Sequence, residues 1–154
     1  MQIKTILRRT AVFGLIVVGV LMLSVFSRIE DWKRDLSTNH ASLESESSDP
    51  RLRPPVIAGS TAEVADQIVT WAEQTSLWSV ESQQVEDQQA KIHLTRTTRL
   101  FRWVDDIHVQ LTTTEQGTRV DAESKSRVGK GDLGQNPRNL RELVAGISNA
   151  ETQS

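Results

Sequence analysis

The sequence predicts an α+β fold: one N-terminal transmembrane helix, then a two-layer sandwich of a four-stranded antiparallel sheet with two helices on one face, in the order helix-β-β-β-β-helix. Three observations predict it. An uncharged apolar run lies near the N-terminus, apolar residues recur at helical spacing after Ser60 and again after Pro137, and four stretches between those helices alternate apolar and polar residues. The boundaries fall at 1–27 for a membrane anchor, 28–55 for a flexible polar tether, 56–150 for a soluble domain and 151–154 for a tail.

The anchor is the run from Ala11 to Phe26, about residues 11–26. It carries no charge, and eleven of its residues are Leu, Ile, Val or Phe, which favours insertion into a lipid bilayer by about 3–7 kcal/mol. A helix from Thr10 to Ser27 covers about 27 Å of a ~30 Å hydrocarbon core, with Arg9 and Arg28 reaching for the headgroups. A cleavable signal peptide is the competing reading, with Lys4 to Arg9 as its basic region. The run is long for that role, and no Ala-x-Ala follows it. Lys4, Arg8 and Arg9 on one flank, set against Arg28, Lys33 and Arg34 on the other, lead us to expect a cytoplasmic N-terminus and an extracytoplasmic domain. In the tether, Ser37 to Asp49 is polar, Ser-rich and without apolar periodicity, so burial there does not offset the entropy of ordering. Pro50, Pro54 and Pro55 then lead the chain, extended, onto the domain.

Ser60-Thr-Ala-Glu63 reads as a capping box, followed by an amphipathic helix from about Thr61 to Thr75 with Val64, Ala65, Ile68, Trp71 and Ala72 on its apolar face. A first strand runs from Trp78 to near Val85, with Glu86 to Gln89 as the turn. Ile92 and Leu94 alternate with Lys91, His93 and Thr95 in the second, and Ile107, Val109 and Leu111 alternate with His108, Gln110 and Thr112 in the third. Gln116-Gly117 has the form of a two-residue hairpin turn. It pairs Glu115 with Thr118, and hence Ile107 with Ser126, Asp106 with Arg127 and Asp105 with Val128. The fourth strand places Val120, Ala122, Ser124 and Ser126 on one face. A glycine-rich loop, Gly129 to Gly134, follows, then Asn136 as cap and Pro137 as first residue of a final helix bearing Leu140, Leu143, Val144 and Ile147.

Composition excludes several functions. The net charge of −2 has both signs interspersed, so there is no electrostatic footprint for nucleic acid. The absence of cysteine removes disulfides, thiolate catalysis and Cys-ligated zinc. Gly129-x-Gly-x-x-Gly134 matches the dinucleotide fingerprint letter for letter, but a Rossmann unit needs a further parallel strand and an acid about twenty residues on. No cofactor is therefore expected. His93, His108 and Asp106 share the outward phase, yet three loosely placed ligands on a flat sheet make a poor metal site.

What remains is a cluster at one end of the sheet: Asp105, Asp106, Ser126, Arg127, Lys130, Asp132, Asn136 and Arg138, with Arg99 and Arg102 in the preceding connection. Its residues carry a resemblance. Thr98-Arg-Leu-Phe-Arg-Trp-Val-Asp-Asp106, with Ser124-Lys-Ser-Arg-Val-Gly-Lys-Gly-Asp-Leu-Gly-Gln-Asn136 and Arg138, resembles the bacterial family called domain of unknown function 1499, over about Val56 to Ile147. Where members of that family often carry a Cys-containing segment ahead of the first helix, this chain has Asp49 to Pro55. The resemblance implies no established activity. Three readings of the cluster follow. In the first, the cluster ties down an irregular loop. In the second, it is an anion or polar-ligand site for a small anionic ligand or envelope component, built on loop amides, the positive end of the last helix, Arg127, Lys130 and Arg138. In the third, it is a small hydrolase acting on an envelope substrate, with Asp105 or Asp106 as base and Ser126 as nucleophile, though no histidine is placed to serve Ser126. The expectation is a non-catalytic envelope binding or accessory module.

Overall fold

The structure, a computed structural model, describes residues 2–27 and 37–151. The expected flank Arg28, Lys33 and Arg34, the first part of the expected tether and residues 152–154 of the tail lie outside the described residues.

The first helix, α1, runs from Gln2 to Phe26, 25 residues. Among the described residues no helix is long and apolar enough to cross a membrane. The predicted transmembrane helix is therefore not found among the described residues. The large apolar side chains described on α1 are nonetheless all exposed, from 41% at Val17 to 72% at Leu15.

The segment expected as a tether is folded from residue 38 onward. Strand β1 (His40–Ser42) pairs with Glu123–Lys125, and β2 (Val56–Ile57) pairs with Thr118–Arg119. A 3-10 turn at Pro50–Leu52 joins them. Asp49 accepts hydrogen bonds from Arg51 and from Nε of Arg141, the latter at 2.8 Å. These arginines, Arg51 above all, hold its carboxyl well below the usual carboxylate range. Ala41, Leu43 and Leu52 pack on the core. A Ser-rich composition hid these few apolar contacts, and the last long strand, with one side unpaired, would otherwise present a bare edge.

Helix α2 (Thr61–Gln74) begins at the predicted capping box, with Ser60 Oγ accepting from Glu63 N and Ser60 N donating to Glu63 Oε2 at 2.8 Å. Strands β3 (Trp78–Val85), β4 (Gln89–Thr97), β5 (Val104–Thr114) and β6 (Gly117–Ser126) then form an antiparallel meander, and α3 (Gln135–Glu151) closes the domain. The sheet has six strands in the order β1-β6-β5-β4-β3 with β2 beside β1 on β6, so the four-stranded expectation is corrected by the two N-terminal strands. Both helices pack against one sheet face through Val64, Ile68, Ile92, Leu94, Ile107, Leu111, Leu140 and Leu143. They approach closely where Gly146 faces the Trp71 ring, a place a Cβ would fill.

The last hairpin corrects the predicted register. Ile107 faces Ser124, Asp106 faces Lys125 and Asp105 faces Ser126, a slip of two residues that keeps every side chain on its predicted face. Glu115 and Gln116 make the turn, and Gly117 opens β6 at φ +135°. The glycine is needed after the turn, where the backbone of β2 lies against it.

Candidate functional site

The acidic pair sits at the end of β5, and the pleat sends its two carboxylates to opposite faces of the sheet. Asp105 points inward under α3 and is 1% exposed. Asp106 points to the open face. The sequence grouped them as one site; the structure makes them two.

On the open face Asp106 takes a bidentate pair from Arg127, Nη2 to Oδ1 at 2.7 Å and Nε to Oδ2 at 2.8 Å. His93 Nε2 lies 2.8 Å from the same Oδ1 and stacks on His108 with centroids 4.5 Å apart. Arg127, assisted by His93, lowers the Asp106 pKa to about 2. An ionised carboxylate only accepts, so Nε2 of His93 carries the proton in this contact. Lys130 is exposed in the Gly loop and forms no ion pair among the described residues. Among the described residues no group of three or more His, Asp or Glu is placed to hold a metal.

On the inner face the polar side chains satisfy one another. Ser126 Oγ donates to Asp105 Oδ1 at 2.6 Å, and Asn139 Nδ2 donates to Asp105 Oδ2 at 2.9 Å. Ser124 Oγ donates to Asn136 Oδ1 at 2.6 Å and accepts from Asn139 Nδ2 at 3.1 Å. Asn136 Nδ2 reaches Asp132 Oδ2, Ser126 Oγ and the Asn39 carbonyl at 2.6, 3.1 and 2.8 Å. Burial raises the Asp105 pKa, and the hydrogen bonds from Ser126 and Asn139 oppose that rise. Asn39, Ser124 and Asn139 were missed as members of this cluster. The signal was present: Ser124 and Ser126 are polar residues in the inward phase of a strand, and Asn139 lies one turn after Asn136.

Asn136 was expected to cap the last helix, but Asp132 does so. Its carboxylate accepts from the amides of Gly134 at 2.8 Å and Asn136 at 3.0 Å. Two of the amides expected to receive a ligand anion, those of Gly134 and Asn136, therefore already hold an internal one. Arg138 donates to the Leu133 carbonyl at 2.9 Å.

Above Asp105 and Ser126 the molecule opens into a cleft of about 390 Å³, walled by Arg96, Arg99, Trp103, Leu133 and Arg138. Arg96 donates to Glu142 Oε2 at 2.9 Å. Arg99 forms no ion pair among the described residues. Leu133 in its wall has φ of 53°, and Arg102 in the β4–β5 connection has φ of 56°, a conformation that non-glycine residues hold only where their surroundings impose it.

A family model described as "Protein of unknown function (DUF1499)" matches residues 31–147. The chain belongs to the DUF1499 family. No curated protein and no solved structure matches it. The matched stretch includes β1, the 3-10 turn and β2, so the DUF1499 region takes in the segment that the sequence read as a tether. The double Asp and the Ser-x-Ser-Arg stretch that carried the resemblance fall on both faces of the β5–β6 end.

The two aspartates give opposite pH signatures. Asp106, with a lowered pKa, contributes its pairing in full above the ordinary carboxylate value of 3.8 and loses it as pH falls toward about 2. Asp105, with a raised pKa, favours the folded state most when protonated, so its contribution declines as pH rises from 3.8 through its folded-state value. In urea unfolding, Asp106→Asn is expected to cost about 1 kcal/mol at pH 6 and less at pH 3. Asp105→Asn is expected to fare better against wild type at pH 6 than at pH 3.

Proposed function

We propose that this DUF1499 protein is a single-pass envelope membrane protein whose domain is a non-catalytic binding or accessory module. In this reading α1 inserts about residues 11–26 into the bilayer, the N-terminus is cytoplasmic and the domain is extracytoplasmic. The observation that carries it is the character of α1: no charge from Ala11 to Phe26, with apolar side chains exposed on every side. A helix apolar around its whole circumference has no face suited to water. The binding part of the reading is supported by the arginine-lined cleft, where Arg96, Arg99 and Arg138 surround a polar floor that suits a small anionic ligand. Because Asp132 occupies the helix N-terminus, the arginines, not the Gly-loop amides, are the groups that would hold it.

Alkaline carbonate extraction of membranes carrying the full chain tests the mooring; retention in the membrane pellet is expected, and release into the wash would overturn it. C-terminal alkaline phosphatase fusions should be active and fluorescent-protein fusions dark. For the cleft, native mass spectrometry of the full chain from mild detergent is expected to show an anionic adduct that Arg99→Ala abolishes without lowering the melting temperature. A folded Ser126→Ala variant that loses a hydrolytic activity of the wild type would instead favour the hydrolase.

A further inference from the structure

The connection between β4 and β5 holds apolar side chains out of the domain. Leu100 is 68% exposed, Phe101 56% and Trp103 43%, and Val128, just ahead of the Gly loop and lining the same cleft, is 61% exposed. Apart from α1, only Val56 and Val85 are comparable large exposed apolar residues among the described ones. The loop is built, not slack. Thr98 N donates to the Trp103 carbonyl at 2.8 Å, Arg102 N donates to the Thr98 carbonyl at 3.2 Å, and Trp103 N donates to Thr98 Oγ1 at 3.0 Å. Phe101 and Trp103 stack with centroids 4.7 Å apart and planes 19° from parallel. Arg99 and Arg102 lie within it, and no acid occurs from Thr98 to Trp103. Left in water, such a surface would be a liability; aromatic rings interleaved with arginines suit the headgroup zone of a membrane, where an apolar body and a polar tip are both satisfied.

The position of the loop identifies what covers it. Leu21 and Ser24 of α1 line the same cleft as Leu100, Phe101 and Trp103, so a bilayer surrounding α1 meets this loop at the level of the helix's C-terminal end. We infer that the loop from Thr98 to Trp103, with Val128, is a second membrane contact, inserted into the lipid headgroup interface so that the arginine-lined cleft opens onto anionic lipid headgroups. This inference rests on the mooring by α1 proposed above.

The chain has no cysteine, so single cysteines introduced at Leu100, at Val17 in α1 and at Glu115 in the opposite hairpin can each carry a nitroxide spin label in the full chain. The proteins are reconstituted into vesicles of phosphatidylethanolamine and phosphatidylglycerol, and collision with oxygen is compared with collision with a water-soluble nickel chelate. The Leu100 label is expected to favour oxygen over nickel severalfold more than the Glu115 label, at a depth shallower than Val17. A Leu100 label as open to nickel as Glu115, with Val17 still in lipid, would overturn the interfacial loop and leave the mooring intact. A Val17 label in water would overturn the mooring and the inference with it. A Leu100 label shielded from both reagents would mean that a protein surface covers the loop, which also overturns it.

Discussion

Asn136→Ala is expected to destabilise the domain by about 3 kcal/mol and to lower its melting temperature by on the order of 10–20 °C. The side chain is fully buried. Its amide oxygen accepts from Ser124, and its nitrogen serves Ser126, Asp132 and the Asn39 carbonyl. Truncation removes all four bonds at once and leaves the buried Ser124 hydroxyl proton without its acceptor, while Ser126, Asp132 and the Asn39 carbonyl each keep one other partner. An unmet buried polar group costs more than the bond itself contributes. Ser126→Ala removes one donor to Asp105 and should cost about 1–2 kcal/mol. A double-mutant cycle of Asn136→Ala with Ser124→Ala should show a coupling of at least about 0.5 kcal/mol. Additive losses, or a cost for Asn136→Ala below that of Ser126→Ala, would show that the polar groups act separately and do not form one network.

That network bears on function. A site that must exchange a ligand keeps some donors uncommitted, whereas here the inner-face groups complete one another and the Asp132 carboxylate fills the anion position at the start of α3. Asp105, Ser126, Asp132 and Asn136 thus form a floor that fixes the loop, and in the binding role proposed above the groups left to meet a ligand are those of the rim, Arg99 and the aromatic connection.

Much of this was legible in the sequence. The capping box set the start of α2 to the residue, and period-two alternation placed β4, β5 and β6 on their correct faces because one face of each is buried. The register was not legible, since turn chemistry alone allowed Gly117 to sit inside the hairpin turn or just after it, and both choices preserve the alternation. The folding of residues 38–57 was hidden for a different reason. Pairing of its two short strands with β6, a few apolar residues and the Asp49–Arg141 pair hold it, and these pairings and the ion pair join residues far apart in the chain, 92 apart for Asp49 and Arg141. Capping by Asp132 was obscured because Asn136-Pro137 offers a stronger local signal two residues inside the true start of α3.

Gly117→Ala, at the first residue of β6, should cost more than a glycine substitution in the Gly loop, about 3–4 kcal/mol. Two costs combine. At φ +135° an L-residue is strained, by about 1–3 kcal/mol, and the new Cβ would overlap the carbonyl oxygen of Ile57, which is backbone and cannot rotate away. Relief requires β2 to move off β6. The hydrogen bonds from Val120 N to the Pro55 carbonyl at 2.9 Å and from Thr118 Oγ1 to the Gly59 carbonyl at 2.8 Å would go with it. Gly129→Ala is the comparison: φ there is +98°, but its Cβ would meet only the Gly131 carbonyl oxygen, at 3.3 Å, so the expected loss is about 1–2 kcal/mol. Hydrogen exchange should localise the difference, with the Val120 amide losing protection in Gly117→Ala and keeping it in Gly129→Ala. If the two variants unfold at the same urea concentration with Val120 protected in both, then β2 does not hold Gly117 in place and the slipped register of the last hairpin needs another cause.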